Sequence, residues 1–409
     1  MNQKTEHSNV KKLQTNYNLL QILYWISICT NQGYVAIYLQ NKGLQNTEIG
    51  LVTGISCILN IFVSLFLSSL PQKIKRLTIR GLLDGMTAVS FTIFLCISYV
   101  PLPKFLIMAF YMAMLCISIS AVPLLSAIAM DYIRQGKELN FGLSRGMASA
   151  SYAVSAVVIG QCVDFFDPDI LSVIYLLTSL IFLAVLHGLP AQGKEAPSEN
   201  RKKEKNLFVF IRKYRILFFI LAGYSLNFAG AASISTYLIN IVKGLGGGTM
   251  VYSIAIFIMA LSEMPVMTFT RRLMRRYDTM NLIMVSGICY LFRNILICIA
   301  PHILFVFAGM LFQSMSFGLL TSLLAYYVAD VCDKEDEVMG QSLIAVMTSG
   351  VGGTIGNVLG GILQDHMGMN AMLLFIIGVT ITGSVIMIVT GYQYKTGSSS
   401  PHVNKPFRT

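Results

Sequence analysis

Charge is scarce in this 409-residue chain: Asp, Glu, Lys and Arg make up 12% of it, against about 25% in ordinary soluble domains. A soluble enzyme or scaffold of this length is thereby excluded. Histidine is also scarce, five residues with none in the middle of an apolar run. The chain therefore lacks the His, Asp and Glu clusters that integral membrane enzymes set at helix ends, and no residue is expected to be catalytic. The eight cysteines (Cys29, Cys57, Cys96, Cys116, Cys162, Cys289, Cys298 and Cys332) stand singly, without CxxC or other metal spacing. They read as free thiols packing like small apolar side chains. The run Gly244–Gly248 lacks the lysine and hydroxyl residue of a phosphate-binding loop. With no nucleotide, haem or metal motif, ATP-driven transport is not expected on this chain, and neither is a cofactor.

What the chain does have is long apolar runs, within a composition that is 55% hydrophobic. They fall at 17–38, 48–70, 81–100, 104–130, 144–163 and 170–189, then at 216–239, 250–270, 280–300, 303–329, 340–363 and 369–392. Each is near the ~20 residues that cross a bilayer as a helix. The fold class predicted is all-α integral membrane, with about twelve spanning helices. The net charge of +11 does not point to nucleic acid, because the basic residues are parcelled into alternate short loops. Lysine and arginine mark cytoplasmic loops, so both termini and the basic stretch 190–214 are expected inside the cell. Lys42, Lys104 and Lys243 are the exceptions. The polar segment Met1–Asn18 carries no cleavable signal, so the first span is expected to stay in place.

The chain repeats itself. Tyr38-Leu-Gln-Asn-Lys42-Gly-Leu returns as Tyr237-Leu-Ile-Asn-Ile-Val-Lys243-Gly-Leu. The basic turn Lys73–Arg80 returns at Arg271–Arg276, and Gly160–Asp164 returns at Gly361–Asp365. All three agree on an offset of roughly 200 residues. Two six-helix pseudo-repeats are expected, 1–189 and 215–409, joined by a cytoplasmic linker at 190–214.

Several stretches carry a family resemblance. Tyr38-Leu-Gln-Asn-Lys-Gly-Leu…Ile49-Gly50-Leu, Phe141-Gly142-Leu-Ser-Arg145, and Glu263-Met-Pro followed by Arg272-Leu-Met-Arg-Arg and Gly287…Arg293 are all similar to the major facilitator superfamily. The similarity is to the branch holding phenylpropionate permeases, nucleoside symporters and lactose permease. It implies a monomeric secondary transporter, working by alternating access around a site near the bilayer midplane between the halves. By the same resemblance Glu263, Arg293 and Arg145 fall where the branch keeps sugar-binding or proton-coupling charges. The chain departs from the branch at Gln313–Leu319, which lacks both the histidine and the carboxylate often found there, and at Ser126–Ala127, where a sugar-binding carboxylate is missing. Lactose is therefore not expected.

Glu263 and Arg293 also stand out by physical chemistry, since a charge at membrane depth costs about 2.5–3.5 kcal/mol on insertion scales. Glu263 is a candidate solute or proton ligand, against a structural acid pairing with the basic turn. Arg293 is a candidate counter-ion or solute anchor, against a side chain that snorkels outward near Ala300. Arg145 competes with a plain positive-inside role. Asn31, Gln32, Asn227, Gln313 and Asn357 are uncharged candidates for solute hydrogen bonds, against interhelical packing. Thr348, Gly352, Gly356 and Gly360 form one row, beside Ser349, Gly353, Asn357 and Gly361, and predict close helix packing. The function expected is proton-coupled uptake of a small polar or anionic organic solute, of the aromatic acid, nucleoside or sugar class, across a bacterial cell membrane. The alternatives are a proton-coupled exporter of drugs or metabolites and a transport-dead sensor.

Overall fold

In hydrocarbon a backbone must satisfy its own N–H and C=O groups, which a helix does within one segment. The computed structural model obeys this: its described residues, 2–74, 77–190 and 207–397, are helical apart from short turns. In chain order the elements are α1 (Asn2–Ile28), a π-helical segment (Cys29–Gly33), α2 (Val35–Asn41), α3 (Asn46–Lys73), α4 (Ile79–Tyr99), α5 (Lys104–Arg134), α6 (Phe141–Phe166) and α7 (Ile170–His187). After the linker come α8 (Leu207–Lys213), α9 (Arg215–Gly244), α10 (Thr249–Arg276) and α11 (Thr279–Cys298). Then follow α12 (Ile303–Leu311), a π segment (Ser314–Gly318), α13 (Leu319–Val331), α14 (Glu337–Ala345), a π segment (Val346–Gly352), α15 (Gly353–Met367) and α16 (Met369–Gly397).

Among the described residues, eleven helices are long and apolar enough to cross a membrane. The first predicted span, 17–38, is not one of them: it is divided between α1, the π segment and α2. Most of the predicted linker lies outside the described residues. Its end, Leu207–Lys213, is the short helix α8.

The chain packs as two compact units. The first comprises Met1–Arg201, Ser235–Leu261 and Asn357–Met372. In it α1 packs on α6 and α7, and α5 packs on α3 and α4. Its core includes Tyr17, Leu20, Leu83, Leu125, Ile128 and Tyr132. Outward residues of α3 such as Phe62, Leu65 and Phe66 are mostly exposed, as lipid contact requires. Two of the lysines that break the charge pattern are matched here, Lys42 by Asp169 at 2.8 Å and Lys104 by Glu48 at 3.7 Å.

The second unit comprises Lys202–Ile234, Ser262–Gly356 and Leu373–Thr409. In it α11 packs against α12, α13 and the π segment between them. Leu217, Ile220, Tyr224, Ile283, Tyr290 and Leu324 lie in its core, and Leu374 and Val385 of α16 face outward. Gly352 and Gly356 bear on α9. A Cβ at Gly352 would lie 2.4 Å from the carbonyl oxygen of Ser225, and one at Gly356 2.1 Å from that of Ala229. The expected close packing is present, although its row begins inside the π segment Val346–Gly352, where the register shifts.

Candidate solute and coupling site

The second unit holds the main constellation. On α11, Ser286, Tyr290 and Arg293 fall at i, i+4 and i+7, which brings them to one face. Arg293 is 0% exposed, so it does not snorkel to the surface. Its Nη1 donates to Oδ1 of Asn294 at 2.8 Å, while Nε and Nη2 have no partner. Asn294 in turn donates to Oγ1 of Thr380 at 2.8 Å, fixing α11 to α16. Gly230 on α9 permits this approach, because a Cβ there would lie 2.7 Å from Thr380 Oγ1 and 2.9 Å from Asn294 Nδ2.

Glu263 lies on α10 two residues before Pro265. A proline inside a helix frees the carbonyl four residues back and tends to kink it. The half-buried carboxylate accepts a hydrogen bond from Nε2 of Gln313 at 2.8 Å. Gln313 borders the π segment Ser314–Gly318, and its Oε1 is unpartnered. π segments of this kind are frequent at functional sites. Glu263 and Arg293 are close enough to interact through charge, yet no ion pair closes between them. The Tyr290 hydroxyl meets that of Tyr224, and the Ser286 hydroxyl is buried without a partner. A desolvated charge without its partner costs several kcal/mol, and Arg293 keeps two nitrogens in that state.

In the first unit, Asn31 and Gln32 sit in the π segment Cys29–Gly33. Asn31 donates to Ser118 Oγ at 2.9 Å, and its backbone oxygen accepts from the Tyr111 hydroxyl at 2.6 Å. Its Oδ1 and the Nε2 of Gln32 have no partner. Beside Asn31 is a pocket of about 30 Å³ lined by Tyr24, Ser90, Ser118 and Tyr175. That volume suits water and excludes an organic solute. Arg145 is exposed on α6, with its guanidinium 4.4 Å from the centroid of the Trp25 ring, and Trp25 meets Tyr152 edge-on at 6.1 Å. The arrangement is a cation–π contact extended by an edge-on ring pair.

Residues 14–377 match the MFS_1 like family. The chain belongs to that family. This MFS_1-like protein is 26% identical over 355 residues to the uncharacterized transporter YwbF of Bacillus subtilis, covering 85% of this chain and 86% of that one. It is 22% identical over 275 residues to a maltose permease of Geobacillus stearothermophilus, covering 67% and 69%. Among solved structures it resembles the nucleoside transporter NupG, with TM-score 0.74, 16% identity and coverage of 94% and 99%. It also resembles a bacterial homologue of the lysosomal transporter Spinster, with TM-score 0.60, 11% identity and coverage of 96% and 97%. The MFS_1-like protein is thus a multi-pass membrane transporter with the major facilitator fold, and not an enzyme.

Within this transporter the sequence candidates separate. Glu263, Arg293 and Gln313 come together, whereas Arg145, Asn31 and Gln32 stand in the other unit. Asn227 and Asn357 already have interhelical partners. Asn227 donates to the Met387 sulfur at 3.3 Å and accepts from Ser384 at 3.1 Å. Asn357 accepts from Thr236 at 2.8 Å and donates weakly to the Cys57 sulfur at 3.9 Å. Sequence reasoning missed Tyr290, Ser286, Trp25 and Tyr152. The i, i+4, i+7 spacing to Arg293 would have found the first two.

Proposed function

We propose that this transporter is a proton-coupled symporter, taking up a small polar or anionic organic solute by alternating access. Glu263 carries the coupling proton and Arg293 anchors the solute. The observation that supports this most is the fully buried Arg293 with two unpartnered nitrogens, beside an acid held only by Gln313. In this reading the two six-helix halves are 1–189 and 215–409, with both termini and the linker in the cytoplasm, and the chain acts as a monomer. A proton gradient can supply the work, since 100 mV is worth about 2.3 kcal/mol per charge.

The test is uptake into proteoliposomes with an imposed pH gradient, alkaline inside, over panels of aromatic acids, nucleosides and oligosaccharides. Accumulation above equilibrium that a protonophore abolishes is the expected result. Expulsion of a preloaded solute under the reversed gradient alone would make the protein an exporter. No gradient effect on any solute that crosses would remove the proton from the scheme.

A further inference from the structure

The helical hydrogen bonding of α8 runs on into α9. Tyr214, at the joint, donates its N–H to the carbonyl oxygen of Phe210 at 2.9 Å, and its own carbonyl accepts from Phe218 at 3.0 Å. Residues at i, i+4, i+7 and i+11 therefore share a face across the joint. Phe210, Tyr214, Leu217 and Leu221 make the inward stripe and lie in the core of the second unit. The outward stripe is Phe208, Arg212, Arg215 and Phe219. Phe208 is 84% and Phe219 52% exposed, and both arginines are exposed. Two cations are thus bracketed by two apolar rings.

Other basic side chains at helix ends rest on the protein itself. Arg80 donates to the carbonyl oxygens of Leu189 and Pro190, and Lys213 pairs with Asp333 and Asp336. Arg145, Arg272 and Arg276 lie over the rings of Trp25, Phe269 and Tyr277. Arg212 and Arg215 have no such partner among the described residues. Three positions apart, they are neighbours on the helix surface, where like charges repel. An anion between them removes that repulsion, and guanidinium donors match the oxygens of a phosphate.

We propose that Arg212 and Arg215 hold the phosphate of an anionic phospholipid in the leaflet that α9 enters, with Phe208 and Phe219 against its apolar part. This goes beyond the transport reading and needs neither its solute nor its proton.

A lipid rather than a free phosphate follows from position. Arg215 is the first residue of α9, and the apolar run that crosses the bilayer starts one residue later. The two arginines are separated by about 4.5 Å along the axis, which fits a headgroup layer roughly 5–8 Å thick on each side of the hydrocarbon. Phe219 lies about 6 Å deeper than Arg215, where an outward ring meets acyl chains. An anionic lipid follows from charge. The carboxylates that α8 meets, Asp333 and Asp336, are held by Lys213, so the two arginines remain uncompensated by the protein. A lipid held here fixes α8 to the membrane surface, and through Lys213 it bears on the turn between α13 and α14.

The test uses the full chain purified in a neutral detergent. The probes are phosphatidylglycerol and phosphatidylcholine, with glycerol 3-phosphate as the soluble phosphate. Native mass spectrometry counts retained lipids and chains, and the melting temperature reports on the fold. Phosphatidylglycerol should be retained and raise the melting temperature, and phosphatidylcholine should bind at least about tenfold more weakly. Each basic residue near an anionic surface is worth about fivefold, so Arg212→Gln with Arg215→Gln should weaken phosphatidylglycerol by about thirtyfold. Arg275→Gln with Arg276→Gln removes the same charge from exposed positions at the end of α10 and should leave that affinity unchanged.

The proposal is overturned if the two lipids bind alike, or if the change at Arg212 and Arg215 leaves phosphatidylglycerol as tightly held. It also falls if the pair on α10 matters as much, net charge then being the cause. Glycerol 3-phosphate that competes at the lipid's own affinity would assign the arginines to a soluble phosphate instead. A dimer that the Arg212 and Arg215 changes dissolve would assign the face to a second copy of the chain. The comparison of the two lipids needs no variant, so misfolding of a variant would not shield the proposal.

Discussion

Asp365 caps a helix that begins 319 residues earlier in the chain: its carboxylate accepts the side-chain amide of Asn46 at 2.8 Å and the backbone N–H of Thr47 at 2.5 Å. Asn46 opens α3, so a negative charge from the end of α15 meets a positive helix terminus. The same place holds further bonds within the first unit. The Tyr237 hydroxyl donates to the carbonyl oxygens of Asn46 at 3.0 Å and Asn357 at 2.9 Å. Asn240 donates to Asn46 at 2.9 Å and to Gln364 at 2.6 Å. A Cβ at Gly361 would lie 2.2 Å from the carbonyl oxygen of Asn46. The result is a polar cluster around the start of α3, which under the proposed topology would act as a seal on the outer side.

Asp365→Ala should loosen that seal. A carboxylate at an exposed helix terminus contributes about 0.3–1 kcal/mol, which at the upper end is roughly a fivefold change in the open population. In a cysteine-free background, Ser253→Cys places a thiol at a buried position facing Tyr34. Its labelling by an impermeant maleimide should accelerate when Asp365→Ala is added. An unchanged rate would mean that the seal does not depend on the carboxylate.

Gly356→Leu should abolish transport while leaving membrane insertion intact. Even a methyl group would strike the Ala229 carbonyl, and overpacking of this kind typically costs about 1–3 kcal/mol. Gly378→Leu is the control, because nothing lies within 4 Å of a Cβ there. If the two variants transport equally well, the packing of α15 on α9 is not what limits the cycle.

Glu263→Gln imitates a permanently protonated acid. It should lose uphill accumulation and keep solute exchange between two loaded compartments. Loss of exchange as well would make Glu263 a solute ligand or a structural acid. Retained accumulation would place the coupling acid elsewhere.

The orientation is checked by single cysteines. Gly246 adopts φ +79°, which strains any L side chain, so Gly248, exposed and with open space at its Cβ, is the better probe. An impermeant reagent added outside should label Gly248→Cys and spare Glu195→Cys. The opposite pattern would invert the topology.

Lys213 joins α8 to the turn after α13, meeting Asp333 at 2.6 Å and Asp336 at 2.7 Å. Those carboxylates raise the lysine above its usual 10.5, and the lysine lowers Asp333 below 3.8. The lysine's contribution is therefore full below its usual value and is lost only at higher pH. That of Asp333 is full above its usual value and is lost only at lower pH. Across neutral pH the attachment is constant, so Lys213→Met should leave the shape of the uptake–pH profile unchanged. A shifted midpoint would bring this cluster into the coupling.

Run length and the sparing of charge are properties of each segment alone, so the amino-acid order suffices to show that this chain crosses a membrane many times as helices. It also marked Glu263 and Arg293, since a charge inside an apolar run stands out without knowledge of its neighbours. Which polar residues keep an unpartnered atom became visible in the folded chain. Asn227 and Gln313 look alike in sequence, yet Asn227 is spent on Ser384 and Met387 whereas Gln313 holds Glu263 and keeps Oε1 free. The three π segments were equally hidden, because a shift of helical register leaves composition unchanged. The cap of α3 by Asp365 was hidden for a related reason. Hydrogen bonding is decided by which atoms meet across hundreds of residues, and no local pattern records that meeting.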